Sequence, residues 1–208
     1  KLKNGTTTTA RKVHPKDALA VKKGDKVVYK IRIYNEGNVN GYASTVIDYL
    51  PTGLKLADNS TINTQYGWKT TKDVGTAKTT YLADKMINKF DGTTLDFVDL
   101  EIECEVTAVV EGKNQNLKNI AEITMHKDKD GNTEAEDRDS KPNNVDKNNY
   151  GTTSQEDDDD FEDLVVLGQY FDLSLRKFIT EVTTGTKTKN YNRAPQVDVT
   201  DLKNETAT

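Results

Sequence analysis

The chain has 208 residues, 34% hydrophobic and 30% charged, with a formal net charge of −5. That size fits one globular domain with extensions or two small domains, and the acidic balance argues against nucleic-acid binding, which needs a basic face. No apolar stretch approaches the length of a membrane span, and the single cysteine, Cys104, provides neither an internal disulfide nor a metal cluster.

Nine tyrosines, many threonines and short apolar runs favour strands over helices. Residues 1–25 read as loop and edge strand, with turn signals at His14-Pro15-Lys16-Asp17 and Lys23-Gly24-Asp25. Lys26–Tyr34 is a strand with Val27, Tyr29, Ile31 and Ile33 on one face. Tyr42–Leu50 is a second, with faces Tyr42, Ser44, Val46, Asp48, Leu50 and Ala43, Thr45, Ile47, Tyr49, ended by Pro51-Thr52-Gly53. The next stretch predicts short strands near Leu54–Leu56, Ser60–Trp68 and Lys78–Leu82, and a short helix over Leu82–Phe90. Leu95–Val110 alternates as a long strand, with Leu100, Ile102, Cys104, Val106 and Ala108 on one face, so Cys104 is expected to be a buried, inert thiol. Leu117–His126 follows, with Leu117, Asn119, Ala121, Ile123 and Met125 on one face.

Many short strands with turns between them indicate an all-β sandwich, which the pattern ends at about residue 126. Residues 127–163, acidic and rich in Asn, Ser and Thr, read as a solvated linker, because they lack the apolar area to offset chain ordering. Residues 164–208 form the third segment. Leu164–Leu167 is a short strand, Phe171–Thr180 a longer one, and 181–208 turn and edge strand. Leu202–Thr208 repeats the pattern of Leu2–Thr8, and the chain starts abruptly at Lys1-Leu2-Lys3. One period of a tandem array, cut out of phase with its domains, is the expectation.

Phe171–Thr180 presents Phe171, Leu173, Leu175, Lys177 and Ile179 on one face, apolar except for the lysine. Lysine is rarely buried without a partner, so Lys177 either snorkels to water or sits inside for a chemical reason. Asp48 and Asn119 are likewise odd polar groups on core-facing strands. Each alone has a plain structural account, but an amine, an acid and an amide together suggest a reaction. Burial favours the neutral, nucleophilic amine and raises the carboxyl pKa. Amine attack on the asparagine carbonyl, polarised by the acid, expels ammonia and leaves an isopeptide bond. The reaction happens once and does not turn over. Its product ties strands together as a disulfide does.

The runs Gly24-Asp25-Lys26-Val27-Val28-Tyr29-Lys30-Ile31, Ile47-Asp48-Tyr49-Leu50-Pro51-Thr52-Gly53-Leu54 and Asn119-Ile120-Ala121-Glu122-Ile123-Thr124, with Phe171–Thr180, resemble the isopeptide-forming repeat domains of Gram-positive surface and fimbrial proteins. The resemblance implies a collagen-adhesin-type Ig-like sandwich. It implies that Lys177 is the cross-linking lysine, Asp48 the catalytic acid of an Asp-x-Leu-Pro motif, and Asn119 the late-strand asparagine. The chain departs from the family in order, because the family lysine precedes its aspartate and asparagine. Lys177 therefore either opens a following domain or completes an equivalent sandwich. We adopt the second reading: the 171–180 strand pairs head-to-tail with another copy of the same repeat and bonds to that copy's Asn119.

Asp128, Asp130, Asn132, Glu134, Asp137 and Asp139 surround Gly131 with oxygen ligands, like a calcium loop. The glycine is out of place for an EF-hand starting at Asp128, and a plain acidic turn is the competing reading. No cofactor is required by the cross-linking chemistry. The resulting expectation is an extracellular structural subunit of a cell-surface stalk or fimbria-like fibre, not an enzyme. An adhesin module binding a host or matrix ligand, or a spacer domain of a large extracellular enzyme, are the alternatives.

Overall fold

In the computed structural model, residues 17–110, 112–133, 137, 140–148, 150, 156–169, 171, 173 and 175–193 are described. The chain divides into two compact units, Lys1–Gln169 and Tyr170–Thr208. The first is an Ig-like β-sandwich. Its smaller sheet has the order β2-β7-β4, formed by Lys26–Tyr34, Phe97–Val106 and Leu54–Leu56. Its larger sheet has the order β1-β9-β8-β3-β6-β5, formed by Leu19–Val21, Asp159–Val166, Gln115–Asp128, Gly41–Tyr49, Thr76–Thr79 and Lys69–Thr70.

The core follows the alternation of β7, whose Leu100, Ile102, Cys104 and Val106 are all fully buried. They pack with Val46, Leu50, Leu54, Trp68, Leu82, Leu117, Leu164 and Val166. The outer face of the small sheet carries cross-strand ion pairs, Lys30–Glu101 and Arg32–Asp99, between residues directly opposite in the ladder. β3 ends in a tight turn where the amide of Leu54 donates to the Pro51 carbonyl at 2.9 Å and Gly53 takes φ 106°. That left-handed backbone and the close approach of Ala108 require glycine there.

Several expectations need correction. Ser60–Trp68 is not a strand. Thr61–Gln65 forms a short helix, α1, because the Ser60 side chain accepts from the Asn63 amide at 3.1 Å and caps it. Asn63 then ties α1 to β7 by donating to the Glu103 carbonyl and accepting from the Glu103 amide. Leu82–Phe90 is turn and bridge rather than helix.

The division at 126 and 163 is also not that of the fold. β8 runs on to Asp128, and β9 begins at Asp159 and pairs antiparallel with β8, Leu117 opposite Leu164 and Glu122 opposite Asp159. Acidic residues at the start of β9 disguise its first half as linker. Described residues between β8 and β9 also pack against the sandwich. Tyr150 is buried and meets Phe161 edge-on at 5.6 Å between ring centroids. The Asn144 amide and the Tyr150 hydroxyl donate to the buried carboxylates of Glu122 and Asp159, which offsets part of their desolvation.

In the second unit, Phe171–Thr180 is not a strand among its described residues. A strand needs a ladder partner, and none is paired to it there. A hairpin follows, β10 at Glu181–Thr184 and β11 at Lys187–Asn190.

Candidate functional site

β3 and β8 lie side by side, and the register sets Asp48 opposite Ala121. Asn119 is two residues from Ala121 on the same face, so it reaches Asp48 diagonally. The Asn119 Nδ2 donates to Asp48 Oδ2 at 3.1 Å. Asp48 is 0% exposed and Asn119 4%. Burial pushes the Asp48 carboxyl up to about 7, and the hydrogen bond from Asn119 only partly offsets this. The pair is not satisfied: Asp48 Oδ1 and Asn119 Oδ1 are buried without hydrogen-bond partners among the described residues. Each such group costs about 1–3 kcal/mol of desolvation.

The opposite wall comes from the small sheet. Burial raises the Cys104 thiol, and the Asp48 charge adds to it. Burial also raises the Tyr29 phenol, reinforced by Cys104, Asp48, Glu162 and Asp163. The Tyr29 hydroxyl is a third buried oxygen without a partner among the described residues. In the sequence Tyr29 reads only as a core aromatic. The available signal was its hydroxyl, which normally finds a partner when buried.

The structure thus brings two of the three residues expected to react into one buried cluster. Lys177 belongs to the second unit, where it is exposed. Chemically, the cluster is an acid–amide pair with two acceptor oxygens to spare, and among the described residues what it lacks is a donor such as an amine.

The reverse face of the same two strands holds a separate acidic cluster. Tyr49 Oη donates to Glu122 Oε2 at 2.6 Å, and the Asn144 amide donates to Glu122 Oε1 at 2.8 Å. Tyr150 donates to Asp159. Both carboxylate oxygens of Asp158 are buried without partners among the described residues. Burial, with Asp159 and Glu122 nearby, pushes this carboxyl up to about 8.

Of the residues read as a calcium loop, Glu134 and Asp139 lie outside the described residues. Asp128 Oδ1 accepts from the amides of Asp130 at 2.9 Å and Asn132 at 2.8 Å, and Lys129 pairs with Asp130 at 2.7 Å. These bonds close a turn around Gly131. Among the described residues, no three His, Cys, Asp or Glu side chains converge as a metal site. No described helix is long and apolar enough to cross a membrane.

No family model matches the sequence, and no curated protein matches it. Among solved structures the chain is similar to BcpA, the major pilin subunit of Bacillus cereus, with 13% identity and a TM-score of 0.31. The match covers 73% of this chain and 37% of that one. At this level of similarity no residue role or partner is carried over.

Proposed function

We propose that this chain is a structural subunit of an extracellular surface stalk or fimbria-like fibre, closed by a self-made Lys–Asn isopeptide bond. The observation that carries the reading is the buried Asp48–Asn119 pair, with one oxygen on each partner unsatisfied among the described residues. A core tolerates such a pair when something else completes it. An incoming lysine does so, first as a hydrogen-bond donor and then as a reactant.

The chemistry balances without a cofactor. Near neutral pH, Asp48 exists in both protonation states, as a group that both gives and takes protons requires. Turning the Asn119 amide over exchanges Nδ2 and Oδ1, so a protonated Asp48 donates to the carbonyl oxygen. The neutral lysine Nζ attacks Asn119 Cγ and forms the new C–N bond. Asp48 takes the proton from the attacking nitrogen and returns one to the departing amide nitrogen, which leaves as ammonia. Two desolvated polar groups become one amide.

Lys177 of another copy is the amine in this reading, so the product is a covalent head-to-tail fibre. Intact-mass measurement and denaturing gels on the full chain test it. A loss of about 17 Da per linkage and a ladder that survives denaturant are expected, and both should vanish in Asn119→Ala and Lys177→Ala. Unmodified mass in all three proteins, with the Asn119 amide intact by peptide mapping at high protein concentration, overturns the reading.

A further inference from the structure

The cross-link reading leaves open where the lysine-bearing segment enters. The nine-residue strand β2 pairs with β7 on one side and, among the described residues, with nothing on the other. Among the described residues it is a long unpaired edge, of the kind folded proteins usually shorten or cover. Its inward face is only half covered. Val27, Tyr29 and Ile31 are partly exposed, whereas their ladder partners Cys104, Ile102 and Leu100 are fully buried. The ion pairs Lys30–Glu101 and Arg32–Asp99 join β2 to β7 on the face away from the core.

The 171–180 segment has the complementary deficiency. Phe171 is 87% exposed, Leu173 79%, Leu175 80% and Ile179 58%, although they alternate as one apolar face. It has ten residues for an edge of nine. Setting Lys177 beside Tyr29 places Leu175 and Ile179 beside Val27 and Ile31, in either strand direction, so apolar meets apolar and the amine points inward. There the Tyr29 hydroxyl, Asp48 Oδ1 and Asn119 Oδ1 are the buried oxygens that lack partners among the described residues. An ammonium or amine has the N–H groups to meet them.

We infer that the free edge of β2 is the docking edge for the 171–180 segment of a second copy, and that Tyr29 positions the incoming Lys177 against Asp48 and Asn119. This rests on the cross-link reading for its occupant, but it makes a separate claim about place.

The test uses the full chain carrying Lys177→Ala, which cannot bond to itself, with an added synthetic peptide of residues 170–181, either with the native Lys177 or carrying Lys177→Ala. Hydrogen exchange at single-amide resolution reads docking, and intact mass reads bonding. Both peptides should slow exchange of amides in Lys26–Tyr34 by at least about tenfold, leaving those of Lys69–Thr70 unchanged. The lysine peptide should also form an adduct about 17 Da below the summed masses. Tyr29→Phe should dock the peptide normally but form the adduct about tenfold more slowly, a split that a merely structural role would not produce. Adduct formation without protection of β2 overturns the docking edge and leaves the cross-link standing. Protection of β2 without any adduct supports the edge and counts against the cross-link. Protection of Lys69–Thr70 in place of β2, or of neither at millimolar peptide, overturns the inference.

Discussion

Tyr49 and Glu122 meet at 2.6 Å on the outer face of the two strands whose inner faces bring Asp48 to Asn119. A phenol held by a carboxylate on one side thus backs the acid–amide pair on the other. The register of β3 on β8 is pinned from both faces, and a one-residue slip would break both contacts at once.

Tyr49→Phe removes the donor to Glu122 Oε2, a carboxylate that is 1% exposed. The expected cost is about 1–3 kcal/mol of unfolding free energy, read as a lower urea midpoint with an unchanged slope. The outer segment that donates through the Asn144 amide should loosen as well, seen as faster proteolysis within residues 141–158.

From about pH 5 to about pH 9 stability should fall as pH rises. Asp48 and Asp158 are raised from an ordinary 3.8 to about 7 and about 8, in both cases chiefly by burial. Below about pH 4 both states are protonated and neither group penalises folding. Between there and the folded values the unfolded chain has released its protons while the folded one keeps them, so the fold becomes less stable. The penalty is complete above the folded values. Urea melts at pH 5 and 9 on the uncross-linked Lys177→Ala chain check this. Asp48→Asn and Asp158→Asn should each flatten the profile, and a profile that rises with pH would contradict the assignment.

Ile102→Ala removes a fully buried side chain from the centre of β7. The loss should be about 2–5 kcal/mol, in contrast to Val74→Ala at a 97% exposed loop position, where no measurable change is expected. Thermal or urea unfolding of the two variants makes the comparison.

Chelation should leave the melting temperature of the chain unchanged, because Asp128 already accepts two amides in closing its turn. Asp128→Ala should lower it with or without calcium. A calcium-dependent rise abolished by Glu134→Gln and Asp139→Asn would instead show that the loop completes a metal site.

Where alternation was long and one face apolar, as in Lys26–Tyr34 and the stretch around Leu100–Val106, the residues alone determined both the element and its inward face, because period two admits one burial pattern. By the same logic, Asp48 and Asn119 stood out before any contact was known. Ser60 escaped because a cap acts through a single local bond that leaves no periodicity. Only the end of β9, Leu164–Val166, was legible; its first half escaped because those residues are acidic and the burial of Asp159 depends on Tyr150 and on pairing with β8. Only the tertiary structure decided that Tyr29, like the pair, has a buried oxygen without a partner among the described residues, that β2 has no neighbour on its far side among those residues, and that the described residues of Phe171–Thr180 form no strand by themselves. These are facts about pairing, and a backbone hydrogen bond between strands takes two partners, so one strand's residues state what it can bury but not beside which strand it lies.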